Sequence, residues 1–232
     1  MKYKWFIKCS KLVIIVGTIS LILPITGCKK VDKTYYNYTN NLGVFKGNAM
    51  EYLRAQPGVY DSMLLVINRI SGIADTIKNA NITIFAINNR SFSIALQNIN
   101  QARQDSIPAM PPVSLSTLDS ASLDTFFCRY LVVGRQLSES LVDFTDGLIF
   151  PSVRYGYKMQ LQFTRTNASG FLKGGPKGII FSDPKNSIFT KNWVRVNTVT
   201  VDIQTSNAIV NALDPSHDFG FGDDFIRHVN KR

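Results

Sequence analysis

The chain has 232 residues, 45% of them apolar and 18% charged, which is material for a real core and excludes wholesale disorder. Its formal charge is +10, yet no helical segment carries Lys and Arg as a stripe, which argues against nucleic acid as a partner. With three cysteines and only His217 and His228, neither a disulfide framework, nor a zinc site, nor a Cys/His dyad has enough groups.

In chain order, Lys2, Lys4, Lys8 and Lys11 open the sequence, an apolar run follows over 12–25, and the first acid is Asp32. That run is shorter than the roughly 20 residues a spanning helix needs and close to the length of a secretory core. Ile25-Thr26-Gly27-Cys28 then resembles the lipobox of bacterial lipoproteins. A peptidase must admit small side chains beside the scissile bond, and only a thiol forms the thioether to diacylglycerol. The resemblance implies that 1–27 is a signal peptide, that Cys28 is the lipidation site (diacylglycerol, with palmitate-type chains), and that 28–44 is the lipidated cysteine and a polar spacer. Each buried methylene contributes about 0.8 kcal/mol, so two or three chains hold firmly to a membrane. Cleavage removes four lysines and no acid, so the charge falls by four to +6. Lys29 and Lys30 stand where an aspartate would favour inner-membrane retention, so the expected location is the outer membrane, facing the periplasm or the exterior.

Beyond the spacer, 48–56 can form a short helix ended by Pro57-Gly58, and 60–70 a second, with Leu64 and Ile67 on one face before Ser71-Gly72. Residues 82–87 are rich in β-branched and apolar types, and Asn88-Asn89 can cap a helix over 91–99. Pro108, Pro111 and Pro112 make 101–116 a loop, 118–130 can be helical, and 130–133 turns into strand. Alternation over 157–163 and 194–203, with a short apolar run at 209–213, gives strands, and a Gly/Pro/Lys-rich excursion at 173–178 separates two of them. Helices first and strands later predict an α+β domain.

At this point the chain resembles the fasciclin-like (adhesion) domain family. Phe85-Ala86-Ile87-Asn88-Asn89-Arg90-Ser91-Phe92 matches the family's Phe-Ala-Pro-Thr stretch and following helix, with the proline lost. Cys128-Arg129-Tyr130-Leu131-Val132-Val133 matches its Tyr-His stretch, with Leu131 in place of the histidine. Asp202-Ile203 and the run from Ser206-Asn207 to Leu213-Asp214 match a third motif, in which Asn211 replaces another histidine. The resemblance implies a fasciclin-like domain over 45–221, a wedge-shaped β-sandwich with helices concentrated in the N-terminal half, and a C-terminal tail over 222–232. The motif residues Phe85, Asn89, Phe92, Tyr130, Asp202, Asn207 and Asp214 are read as structural, and Cys128 as a buried small hydrophobe.

Catalytic patterns are missing. Gly174-Gly175-Pro176-Lys177-Gly178 lacks the spacing of a phosphate-binding loop, and no Gly-x-Ser-x-Gly elbow occurs. The segment from Asp214 to Asp224 gathers four carboxylates and His217 without the spacing of a calcium loop, and reads as a strap over the domain edge with its acids in water. The expectation is a non-catalytic adhesion or binding module with no metal or cofactor. Its partners would be the membrane, through lipid on Cys28, and a surface glycan or cell-surface protein. Lys173, Lys177, Lys185 and Arg195 are the candidate contact residues for acidic partners. The alternative is an accessory glycan-capture lipoprotein of an outer-membrane polysaccharide-uptake system.

Overall fold

A computed structural model describes residues 43–231, apart from Ser169 and Lys173. The signal peptide, Cys28, nearly all of the spacer, and Lys173 lie outside the described residues. Helix α1 (Ala49–Arg54) is opened by Asn48, whose Oδ1 accepts the Glu51 N–H at 3.0 Å while Glu51 Oε2 accepts the Asn48 N–H at 2.9 Å. This reciprocal pair satisfies two donors that a helix start leaves orphaned. Helix α2 (Asp61–Arg69) follows. Gly72, at φ 73°, then lets the chain restart at once as α3 (Ile73–Asn79), where the sequence suggested only a stop. Strand β1 (Ile82–Ala86) is buried along its whole length, and Asn88 caps the longer helix α4 (Asn89–Gln104) by accepting the Ser91 N–H at 3.1 Å. Helix α5 (Ser120–Phe127) passes through a 3-10 turn (Cys128–Tyr130) into β2 (Leu131–Val133).

The second half is mainly strand: β3 (Leu148–Pro151), β4 (Lys158–Arg165), β5 (Lys177–Asp183), β6 (Val194–Gln204) and β7 (Ala208–Leu213). They join β1 and β2 in one sheet of order β2-β1-β7-β6-β5-β4-β3, in which only β1 and β7 run parallel. The sheet folds on itself. Register shifts interrupt β6 between Thr198 and Ile203, and the two edge strands come together where Val132 bridges Ser152 and the Val153 N–H reaches the Leu131 carbonyl at 2.8 Å. Irregularities of this kind increase local twist and let a sheet curl. The result is the expected α+β architecture, with most helices before residue 130.

The packed body does not end at residue 221. A last helix, α6 (Asp223–Asn230), buries Phe225 and Val229, and Phe219 and Phe221 just before it are also buried. Phe219 packs at a tilt on Phe92 of α4, centroids 4.6 Å apart, and Phe225 meets Phe126 of α5 at 4.9 Å. The strap does fold back on the domain, but the expected C-terminal tail over 222–232 is corrected: residues Asp223–Asn230 are a helix packed on the body. Phe225 and Val229, four residues apart, form an apolar helix face that a Gly- and Asp-rich surrounding conceals in the sequence. Replacing Phe225 with alanine should cost about 3–5 kcal/mol, the range for a buried aromatic; a denaturant-midpoint change worth under 1 kcal/mol would show the last helix to be peripheral.

Candidate ligand groove

The family-motif residues are committed to the scaffold. Phe85 lies flat on Phe181 at 3.8 Å, and Phe92 is fully buried. Asn89 ties helix α2 to α4, accepting the Ser62 N–H at 2.8 Å and donating to the Gly58 carbonyl at 3.0 Å. Asn207 accepts the Ala49 N–H at 3.0 Å and donates to the Ile77 and Ala80 carbonyls, each at 2.9 Å. Asp202 sits at φ 62° in the irregular part of β6, where its carboxylate accepts the Ser138 N–H at 2.7 Å and the Ser138 hydroxyl. Asn211, at a family histidine position, holds the same residue by accepting the Asp202 N–H at 2.9 Å. Asp214 closes the next turn on the Ser216 N–H at 2.8 Å, and the Ser216 bonds hold its carboxyl below the usual range.

Tyr130 is fully buried, so burial pushes its phenol well above the usual range. Its oxygen accepts the Gly220 N–H at 2.8 Å and shares a hydrogen bond with His217 Nε2 at 2.7 Å. His217 thus comes from far along the chain to partner the tyrosine whose sequence neighbour is Leu131. Burial lowers the His217 pKa to about 3, with Asp214 pulling weakly the other way. Cys128 donates its thiol to Asp124 Oδ1 at 3.0 Å, and burial pushes that thiol up, away from nucleophilic character. The cavity beside His217, about 280 Å³, is lined by Arg195, Asp214 and Asp218 among others. Burial raises Asp218, which accepts from Asn98 Nδ2 at 2.7 Å. Among the described residues, no group of three or more His, Cys, Asp or Glu could hold a metal ion.

The basic residues expected to form one contact loop are not brought together. Lys177, at the start of β5, pairs with Glu139. Lys185 lies just past the other end of that strand and pairs with Asp224 at 3.3 Å. Arg195 faces Ser182 in the ladder, near the Lys185 end, with its guanidinium 5.9 Å from the Trp193 ring. Of the described three, only Lys185 and Arg195 belong to one region, and Lys185 is already neutralised.

That region holds a site the sequence reading missed. Between the turn joining β3 to β4 and the loop joining β5 to β6 lies a groove of about 640 Å³, lined by Ile149, Tyr155, Tyr157, Lys158, Ile188 and Trp193 among others. Ile188 is 86% exposed and Tyr155 58%, with Ile149 and Phe189 also open. The signal available was Tyr155-Gly156-Tyr157 together with Ile188-Phe189 and Trp193, large apolar side chains placed in turns where burial cannot account for them.

The groove is held rigid from beneath. Asp183 is fully buried at the end of β5, bonded to Arg129 Nη1 at 2.7 Å and to the Tyr157 hydroxyl at 2.7 Å. The Arg129 guanidinium lies over the rings of Phe126 and Tyr157, at 4.1 and 4.2 Å. Asp183 also accepts the Lys185 N–H at 2.8 Å, and Lys185 and Asn186 adopt φ 51° and 54°. With the Ser187 N–H on the Pro184 carbonyl at 2.8 Å, these two residues make a turn of the I′ kind. A side chain such as lysine adopts that conformation at a cost on the order of 1–3 kcal/mol, and only where its surroundings fix it. The Trp193 indole N–H donates to the Ser187 carbonyl at 2.8 Å, fixing the ring against the same loop.

Two outcomes are expected. Asp183→Asn should cost about 3–5 kcal/mol, because it leaves Arg129 as an uncompensated buried cation; equilibrium unfolding checks this. For His217 the folded pKa of about 3 lies below the unfolded 6.5, so the unfolded chain binds the extra proton between those values. Its contribution is complete above pH 6.5 and is lost on acidification, by up to roughly 1.4 kcal/mol per pH unit. His217→Gln should therefore show a shallower loss of stability between pH 6 and 4 than the native chain, read from urea midpoints.

No family model matches the chain, and no curated protein matches it. Among solved structures it is similar to a FAS1 domain pair from the insect cell adhesion molecule Fasciclin I, at 14% identity and a TM-score of 0.48. The match covers 72% of this chain and 49% of that one, so the chain spans about half the length of that structure.

Proposed function

We propose that the chain is a non-catalytic binding or adhesion module, held at the cell envelope by lipid on Cys28, that takes its ligand in the groove at the Asp183 end of the sheet. The observation that carries this reading is the contrast between the groove and the interior. Tyr130, His217 and Cys128 are buried, with the tyrosine and histidine hydrogen-bonded to each other and the thiol to Asp124, and burial keeps the phenol and the thiol protonated. By contrast Tyr155, Ile188 and Ile149 are exposed beside Trp193 on a backbone fixed by buried hydrogen bonds. Rigid elements that present exposed aromatic and apolar side chains suit recognition, which rewards preorganisation. The outer-membrane location rests on the lipobox-like sequence and on Lys29 and Lys30.

The alternative, an accessory glycan-capture lipoprotein beside a polysaccharide transporter, is favoured by one feature of the same groove, its open aromatic rings. Both readings share one test. The native lipoprotein should partition into detergent and carry labelled fatty acid, while Cys28→Ser should lose both. The lipid-free Cys28→Ser protein should sediment with envelope fragments stripped of their own lipoproteins, and its Tyr155→Ala/Ile188→Ser derivative with unchanged melting should sediment at least fivefold less. Equal sedimentation of the two would remove the groove from the reading.

A further inference from the structure

We infer that the groove is a saccharide site and that its ligand is an anionic polysaccharide, stacked on Tyr155 and Trp193 and neutralised by Lys158 and Arg195. This rests on the reading of the groove as the ligand face and adds the chemical class of what it holds.

The charges around the groove are unbalanced in one direction. The carboxylates nearest its floor are matched, Asp183 by Arg129, Asp124 by Arg154 and Asp224 by Lys185 and Arg227. Lys158 on the groove wall and Lys191 in the loop have no carboxylate within 4.0 Å among the described residues; Arg195, beside Trp193, has none either, and also lines the neighbouring cavity with Asp214 and Asp218. The rim is thus cationic above an apolar floor.

The lining decides between anionic ligands. A lipid chain requires an unbroken apolar slot, whereas here Lys158, Asn186 and Ser187 stand among the apolar groups of the lining. A pyranose presents a matching mixture, with C–H groups on its faces and hydroxyls around its edge. Those C–H groups carry partial positive charge and meet the negative face of an aromatic ring. Trp193 has its N–H edge engaged by Ser187, and Tyr155 donates its hydroxyl to Asp124 Oδ2 at 2.7 Å, so each ring is held by its polar edge. A volume of about 640 Å³ is within the range of small-ligand sites and gives room for a short run of sugars. Carboxylates or sulfates on those sugars would meet Lys158 on the groove wall and, past Trp193, the guanidinium of Arg195.

The test uses the full-length lipoprotein in detergent micelles and isothermal calorimetry with fragments of polygalacturonate, alginate and heparin. A carboxyl-reduced polygalacturonate and polyglutamate serve as controls. At least one anionic polysaccharide should bind, at least fivefold more tightly than its neutral counterpart or polyglutamate, and more weakly as salt rises. Tyr155→Ala should weaken binding at least tenfold with unchanged melting. Lys158→Gln and Arg195→Gln should each weaken it several-fold and flatten the salt dependence. Equal binding of the neutral polymer overturns the anionic assignment, and equal binding of polyglutamate overturns the saccharide. If none of the three binds while groove variants still lose envelope sedimentation, the ligand class is wrong and the binding-module reading stands. If groove variants lose nothing in either assay, both fall.

Discussion

The end of the sheet that carries the groove depends on one buried carboxylate. Asp183 has no exposure to water, and an isolated charge there would be prohibitive, so its partners are obligatory. They come from three separate stretches: Arg129 from the turn before β2, Tyr157 from the turn before β4, and the backbone of Lys185 from the loop after β5. The pairing is not perfect, since Arg129 Nε finds no acceptor among the described residues, and the rings of Phe126 and Tyr157 against the guanidinium offset part of that loss. A buried ion pair of this type adds little to net stability compared with an apolar substitute, but losing either member is costly. What it supplies is geometry, because it fixes two loops and the edge of β2 relative to one another.

A second constraint closes the other side of the core. Phe219, Phe221 and Phe225 arrive last in the chain and complete an aromatic cluster with Phe92, Phe126, Tyr130 and Phe181. Tyr130 links the cluster to polar groups, because its oxygen takes both Gly220 and His217 from that late segment. The last residues and the turn between α5 and β2 therefore depend on each other. Asp224 extends this to the groove by pairing with Lys185, so the C-terminal helix also steadies the β5–β6 loop.

Much of the scaffold was legible because local chemistry and tertiary demand agree. Asn88 reads as a cap and is one, most of the apolar run at 82–87 is a strand buried on both faces, and the alternation at 194–203 is a long strand. The elements that escaped have weak local signals. Helix α3 is seven residues long and starts straight after a glycine that reads as a terminator, and β5 begins at Lys177-Gly178, inside what looks like a flexible excursion. The groove escaped for a different reason. Tyr155, Ile188 and Trp193 are assembled by the pairing of β3 through β6, and sequence spacing carries no record of which turns will face each other. The basic residues failed as a set for the same reason, since Lys177 and Lys185 look near in sequence but stand at opposite ends of one strand.

The division of labour follows from what burial does to reactive groups. Tyr130, His217 and Cys128 all lie in the interior, where burial keeps the phenol and the thiol protonated and the imidazole uncharged. Their hydrogen bonds are used to orient chain segments, and the same holds for Asp202, Asn207 and Asn211. Left-handed backbone is placed where such groups hold it: the pair Lys185-Asn186 on the groove rim is fixed by the Lys185 N–H on buried Asp183, as buried Asp202 is fixed by Ser138 and Asn211. A fold that spends its polar interior on fixing loops, and uses left-handed backbone where buried polar groups hold it in place, is organised to hold a surface shape constant. Constancy of shape is what the proposed stacking on flat rings needs, because a gap of about 0.5–1 Å already forfeits roughly a quarter to a half of the dispersion attraction between ring and partner.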